Sequence, residues 1–218
     1  ITDLAEKIIV ERDLTLLEDV KCRYHISQIS SSKSIDVIEK KKNDVAFTTG
    51  VSINNLTLNE NDIGDFRTFL KLSPPLRTEE DRVGLIRGIN KNLINVIVSD
   101  HKPEDEESKR LTFSQAATGA SGIETLLALS LELFHNESIK LSKLISLLSC
   151  NPARILKIDK GNLSIGNDAD FCIVDIHKPW IVKKEKLISK SKNTSIENKK
   201  LQGKVLNTFI KGVELFKI

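Results

Sequence analysis

Asp100 and His101 close a run of small and β-branched residues, VIVSDHKPED over 96–105, and lead into a proline turn. A carboxylate at the end of a buried strand can touch a metal ion and accept a proton from its bound water. An imidazole beside it can ligate or shuttle protons. Each also has a structural reading. Asp100 can simply cap a turn or a helix, and His101 reads better as a structural hydrogen-bonder than as a ligand. His25 lies on an alternating stretch, CRYHISQIS over 22–30, and reads as a satisfied core histidine. His135 and His177 stand alone in polar surroundings with no role indicated. Cys22, Cys150 and Cys172 are widely spaced, odd in number and set in apolar runs, the pattern of buried free thiols in a reducing compartment.

The elements that must position these groups follow from the rest of the chain. Its 218 residues suffice for one sizeable core, or one domain plus a small second one. Lys+Arg 33 against Asp+Glu 30 leaves a formal charge of +3, too balanced to argue for nucleic acid or a membrane surface. Aromatics make up only 5%, so no platform for stacking bases suggests itself. No apolar run reaches the roughly 18 residues that span a bilayer, and no signal-peptide pattern opens the chain, so a cytoplasmic location is expected. There is no methionine, and Ile1 leads straight into a helical pattern; the sequence reads as a piece of something longer.

Residues 2–18 place Leu4, Ile8, Ile9, Leu14 and Leu17 at near-helical spacing. Strand patterns over 22–30, 44–51, 68–72 and 94–100 alternate with helical ones over 34–42 and 78–89, where Thr78 and Asp81 have capping-box spacing. Such alternation argues for parallel βα units in one sheet. Helices are then expected over 122–134, 139–149 and 151–158. From there GNLSIGNDADFCIVDI (161–176) and GKVLNTFIKGVELFKI (203–218) alternate as strands with Gly-Asn and Lys-Gly turns. They predict a small β module over 160–218 after a barrel-like part over 1–159, with Phe171, Ile173, Val205 and Leu206 on its buried side. Between its strands, 183–200 is polar and lysine-rich and reads as a solvated loop. Four βα units cannot close a barrel, which needs eight, so half a barrel is the economical α/β reading.

Read in order, RYHISQIS, LKLSPPLRTEEDR, IVSDHKP, TGASGIETLLALSL, NPARIL, GNLSIGNDADF and LQGKVLNTFIKG resemble the C-terminal half of a dihydroorotase, of the amidohydrolase superfamily. The ordered set covers nearly the whole chain. The resemblance implies the C-terminal half of a (β/α)8 TIM-type barrel plus a small β module. It implies the interconversion of N-carbamoyl-L-aspartate and dihydroorotate in pyrimidine biosynthesis, by a zinc-held hydroxide. In that family the metal is held by a His-x-His pair on the first strand and a carboxylated lysine or aspartate on the fourth. A histidine on each of the fifth and sixth strands and an aspartate on the eighth complete the set.

Against that pattern, Asp100 matches the eighth-strand aspartate, the metal ligand that also accepts the water's proton. Gln28 stands at the fifth-strand ligand position, where the family has the second histidine of His-x-x-His. Ile53, Asn54 and Asn55 match the family's Pro-His-His turn, so Asn54 stands at the sixth-strand ligand. Glu104 replaces the last histidine of Asp-His-Ala-Pro-His, which helps hold substrate. Ser73, in SPPLR, stands where the family commonly has a substrate-facing asparagine. Thr118 and Gly119 fall in the family's substrate loop, where backbone N–H groups meet the ring. Read without the family, SPPLR is a rigid loop after a strand, and Gly119 and Gly122 are helix-entry glycines. A neutral amide oxygen is a far weaker zinc ligand than imidazole. Two readings therefore stand: a dihydroorotase, impaired in what this stretch supplies, or a non-catalytic homologue serving as a scaffold for aspartate carbamoyltransferase. A homo-oligomer fits either.

Overall fold

The computed structural model describes residues 2–218; Ile1, with which the sequence opens, lies outside them. The chain runs through α1 (Asp3–Asp19), β1 (Tyr24–Ile29), α2 (Ser32–Lys41), β2 (Phe47–Ser52), α3 (Ile53–Thr57), α4 (Glu79–Asn90) and β3 (Val96–Val98). It continues through α5 (Glu106–Lys109), α6 (Leu126–His135), α7 (Leu141–Ile145), α8 (Asn151–Leu156), β4 (Phe171–Ile181), β5 (Lys200–Ile210) and β6 (Val213–Lys217). A π-helical turn over Ser146–Cys150 joins α7 to α8.

β1, β2 and β3 form one parallel sheet with β2 in the middle. The chain at Gly50 passes so near β1 that a Cβ there would sit 2.3 Å from the Ser27 carbonyl oxygen. Only glycine permits that approach. The Asn95 side chain extends the ladder, its Oδ1 accepting from the Thr49 N–H at 2.8 Å. Helix α1 buries Val10, Leu14 and Leu17, an i, i+4, i+7 stripe. Leu4, Ile8 and Ile9, which helical spacing alone places among the apolar positions, lie off that stripe and are exposed. Thr78 caps α4 as its spacing predicts, accepting from the Asp81 N–H. Buried Asp81 in turn accepts from the Ser32 N–H and hydroxyl, tying α4 to the start of α2.

The stretch 68–72 corrects the expectation of a fourth strand. Thr68–Leu70 is a single 3-10 turn, and β3 occupies the free edge of β2 directly, Gly50 opposite Val96. The position beside β2 is therefore taken. Loops satisfy it instead: the Lys71 ammonium donates to the carbonyls of Ser114 and Ala116. The fully buried Lys109 donates to those of Thr68 and Ala117, at 3.1 and 2.7 Å. Burial holds the Lys109 ammonium below its usual pKa. Lys109→Met keeps the aliphatic stem but strands two carbonyls, at about 1 kcal/mol or more each. A loss of about 2 kcal/mol is expected, read as a melting temperature lower by roughly 5 °C; an unchanged melting curve would rule out this tether.

The second sheet is antiparallel, in the order β4, β5, β6, so the two alternating C-terminal stretches pair with each other as expected. Its first strand begins only at Phe171; 161–170 is turn and loop. A register shift between Ile173 and Val174 resets the alternation. Val174, Ile176 and Trp180 face the core, while Ile173 is 46% exposed rather than buried. Phe171, Val205 and Leu206 are half-buried. The cysteines are free, but Cys22, in the turn before β1, and Cys172, on the outer face of β4, are exposed. The thiols are thus not the buried set that their apolar neighbours predict. No helix among the described residues is long and apolar enough to cross a membrane.

Candidate active site

The C-terminal ends of the three parallel strands carry the residues of interest, at the end where barrels of this kind place their chemistry. Gln28 is the next-to-last residue of β1, Asn54 lies just beyond β2, and Asp100 follows β3 by two residues. Asp100 holds a left-handed backbone, φ +48, which aspartate tolerates better than most residues and which is over-represented at functional sites.

The sheet brings two of these three residues into contact. Gln28 Nε2 donates to Asp100 Oδ1 at 2.9 Å. The same oxygen receives the Lys102 ammonium at 3.1 Å. Lys102 Nζ also donates to the Ser73 carbonyl at 2.8 Å, so Ser73 enters the site through its backbone while its side chain lies on an exposed turn. Asn54 is buried, and its Oδ1 accepts from the Ser195 hydroxyl at 3.0 Å. Asn55 turns away, donating to the Pro75 carbonyl.

Gly119, Thr118 and Glu104, expected on the substrate side, are held by other contacts. Gly119 donates its N–H to the Lys71 carbonyl at 2.9 Å, with φ +142; Thr118 is exposed beside it. Glu104 donates its N–H to Asn193 Oδ1 at 3.3 Å and lines a cleft of about 780 Å³ with Phe69, Pro103, Lys190 and Lys192. His101 Nδ1 accepts from the N–H groups of Gly122 and Ile123, the structural part its position suggests. His25 is exposed rather than in the core: it lies near the start of β1, three residues before Gln28, bonded to Thr48 Oγ1. His135 and His177 are not alone, their rings packing 5.5 Å apart.

Two contributors are not apparent from local sequence. Lys102 sits in an ordinary-looking turn. The segment 183–200, expected as a solvated loop, buries Leu187 and Asn193–Ile196. Asn193 accepts from Ser121 and donates to the Gly119 carbonyl, and Ser195 covers Asn54. Burial follows from these partners: an Asn-Thr-Ser run can go inside when each polar group finds a bond. The Asn and Ser cluster was the available signal, masked by the lysines around it.

The donor set at Gln28, Asn54 and Asp100 does not fit the divalent ion that the sequence resemblance implies. Gln28 and Asn54 offer amides, and the only carboxylate at these three positions is already taken by an amide N–H and an ammonium.

Comparison with known proteins gives a consistent picture. Residues 2–215 match the amidohydrolase family model. The chain is 40% identical over 214 residues to a dihydroorotase of Ehrlichia canis (strain Jake), covering 97% of this chain and 48% of that protein. A dihydroorotase of Ehrlichia chaffeensis (strain ATCC CRL-10679 / Arkansas) is 39% identical over 219 residues, covering 100% and 49%. Among solved structures, the L-hydantoinase (dihydropyrimidinase) from Arthrobacter aurescens superposes with a TM-score of 0.92 at 24% identity, over 97% of this chain and 49% of that one. Dihydropyrimidinase from Brevibacillus agri NCHU1002 does so with a TM-score of 0.92 at 19% identity, over 99% and 49%. The chain thus spans about half the length of the curated relatives it matches. Its fold is the C-terminal half of a (β/α)8 barrel plus the small β module.

Proposed function

The chain belongs to the amidohydrolase family, and from that premise we propose that it is a dihydroorotase-like protein of de novo pyrimidine biosynthesis whose catalysis is impaired. Its small-molecule substrate class would be N-carbamoyl-L-aspartate and dihydroorotate, and its compartment the cytoplasm. The observation that carries the impairment is the Gln28 amide bonded to Asp100 at 2.9 Å, an amide N–H donor where the family pattern has an imidazole. Asp100 keeps the place of the proton acceptor, but a carboxylate needs an activated water to deprotonate. The family's zinc lowers the pKa of water from about 15.7 to about 7, roughly 12 kcal/mol of acidity. None of Gln28, Asn54, Asp100 and Lys102 replaces that. Residues 1–159 would form the barrel part and 160–218 the β module, with Ser73, Glu104, Thr118 and Gly119 on the substrate side of the rim.

Turnover of carbamoyl-aspartate to dihydroorotate by the full-length protein, with zinc supplied, is the test. No measurable rate is expected. Robust metal-dependent turnover that Asp100→Ala abolishes would overturn the impairment and make the protein a working enzyme.

A second reading, the non-catalytic scaffold, is favoured by the same internally bonded Asp100, since a buried carboxylate satisfied by neighbouring side chains needs no ligand to persist. Aspartate carbamoyltransferase is the partner to test, by calorimetry, with the oligomeric state of each component measured alongside. Absence of heat at micromolar concentrations would remove this reading.

A further inference from the structure

The side chain of Asp100 is 3% exposed, and a carboxylate so covered requires compensation. Gln28 gives it a hydrogen bond but no charge. Lys102 gives it a full positive charge at 3.1 Å. That ammonium is aimed rather than free. Its Nζ is held from the other side by the Ser73 carbonyl. Its backbone N–H donates to the Ala120 carbonyl at 2.9 Å, and its carbonyl oxygen lies where a Cβ on Gly119 would be only 2.6 Å away. The close parallel pairing of 101 with 120 fixes where residue 102 begins, so the stem can reach back over the carboxylate.

We infer that Lys102 is a built-in cation: its ammonium takes the charge position beside Asp100 that a divalent ion would need. The Asp100–Lys102 pair is then neutral as folded, and the carboxylate is closed to metal by a partner of its own as well as by the weak donors around it. The inference rests on the reading of Asp100 as the metal-facing aspartate, and adds to it that the missing charge has been replaced. Repulsion between an ammonium and an entering dication at the same oxygen makes the two alternatives exclusive.

A double-mutant cycle in the full chain tests the pairing. Lys102→Met should lower the melting temperature by about 2–4 °C, a modest shift because the lysine is half-exposed. Adding Asp100→Asn should recover at least half of that loss, since the charge needing compensation is gone. Lys102→Arg, which keeps the charge, should stay within about 1 °C of the parent. Zinc titration calorimetry supplies the second readout: Lys102→Met should gain at least about tenfold in zinc affinity over the parent, a gain that Asp100→Asn removes. An additive cycle would reduce Lys102 to a tether for Ser73 and overturn the inference while leaving the loss of catalysis standing. Stoichiometric zinc at Asp100 in the parent, with affinity unchanged by Lys102→Met, would overturn it as well.

Discussion

Gln28→His and Asn54→His made together, with Lys102→Met, will raise the protein's zinc affinity by more than about 100-fold, beyond what the loss of a mere outer-shell partner costs in metal sites. The contact between Gln28 and Asp100 supplies part of the geometry for this gain. Gln28 already reaches the Asp100 carboxylate, so a ring on the same stem meets the space in front of that oxygen. Asn54 lies two residues beyond the neighbouring strand β2, in α3, where its side chain is now bonded to Ser195. Imidazole exceeds a neutral amide as a donor to a borderline ion, and removing the ammonium frees the carboxylate to bind. The gain needs further ligands from the half of the barrel that this stretch does not span, and belongs to the full-length protein. Elemental analysis after dialysis against chelator measures it. A triple variant that holds no more zinc than its parent would show that these positions do not converge on one ion.

Gly119→Ala is expected to cost about 3–4 kcal/mol, a melting temperature lower by roughly 10 °C. At φ +142 an alanine is strained wherever it is placed. Here its Cβ would also meet the Lys102 carbonyl at 2.6 Å, a backbone atom that cannot swing away. Relief requires moving either the 101–120 pairing or the segment behind it, and both hold the site. The same substitution should therefore weaken the Asp100–Lys102 coupling measured by the double-mutant cycle. A Gly119→Ala protein that melts with its parent would show the loop to be soft, and would remove the claim that Lys102 is aimed by its backbone.

Much of the scaffold is legible in the sequence because it depends on short-range physics. The period-2 runs around Ile26 and Val51 find their parallel partners, and the Thr78 cap forms where its spacing puts it. Where apolar patterning was the guide, its errors have a common cause. Thr68–Leu72 has strand composition, yet β3 takes the edge it would need. Ile8 and Ile9 are apolar and helical, yet only one stripe of α1 meets the core. Ile173 sits outside because a register shift moves the alternation by one residue.

The site divides the same way. The sequence by itself determined which chemical groups stand at the strand ends: the carboxylate of Asp100 and the amides of Gln28 and Asn54, with the ordered motifs that mark the family. These are properties of residue type and order. Only the tertiary structure decided what each group is bonded to. Nothing local to residue 102 says that its ammonium folds back on Asp100, and nothing in a lysine-rich stretch says that Asn193 and Ser195 go inside. Those outcomes are set by partners far along the chain, Ser73 for Lys102 and Asn54 for Ser195. A polar side chain is buried or exposed according to whether a distant donor or acceptor arrives to satisfy it.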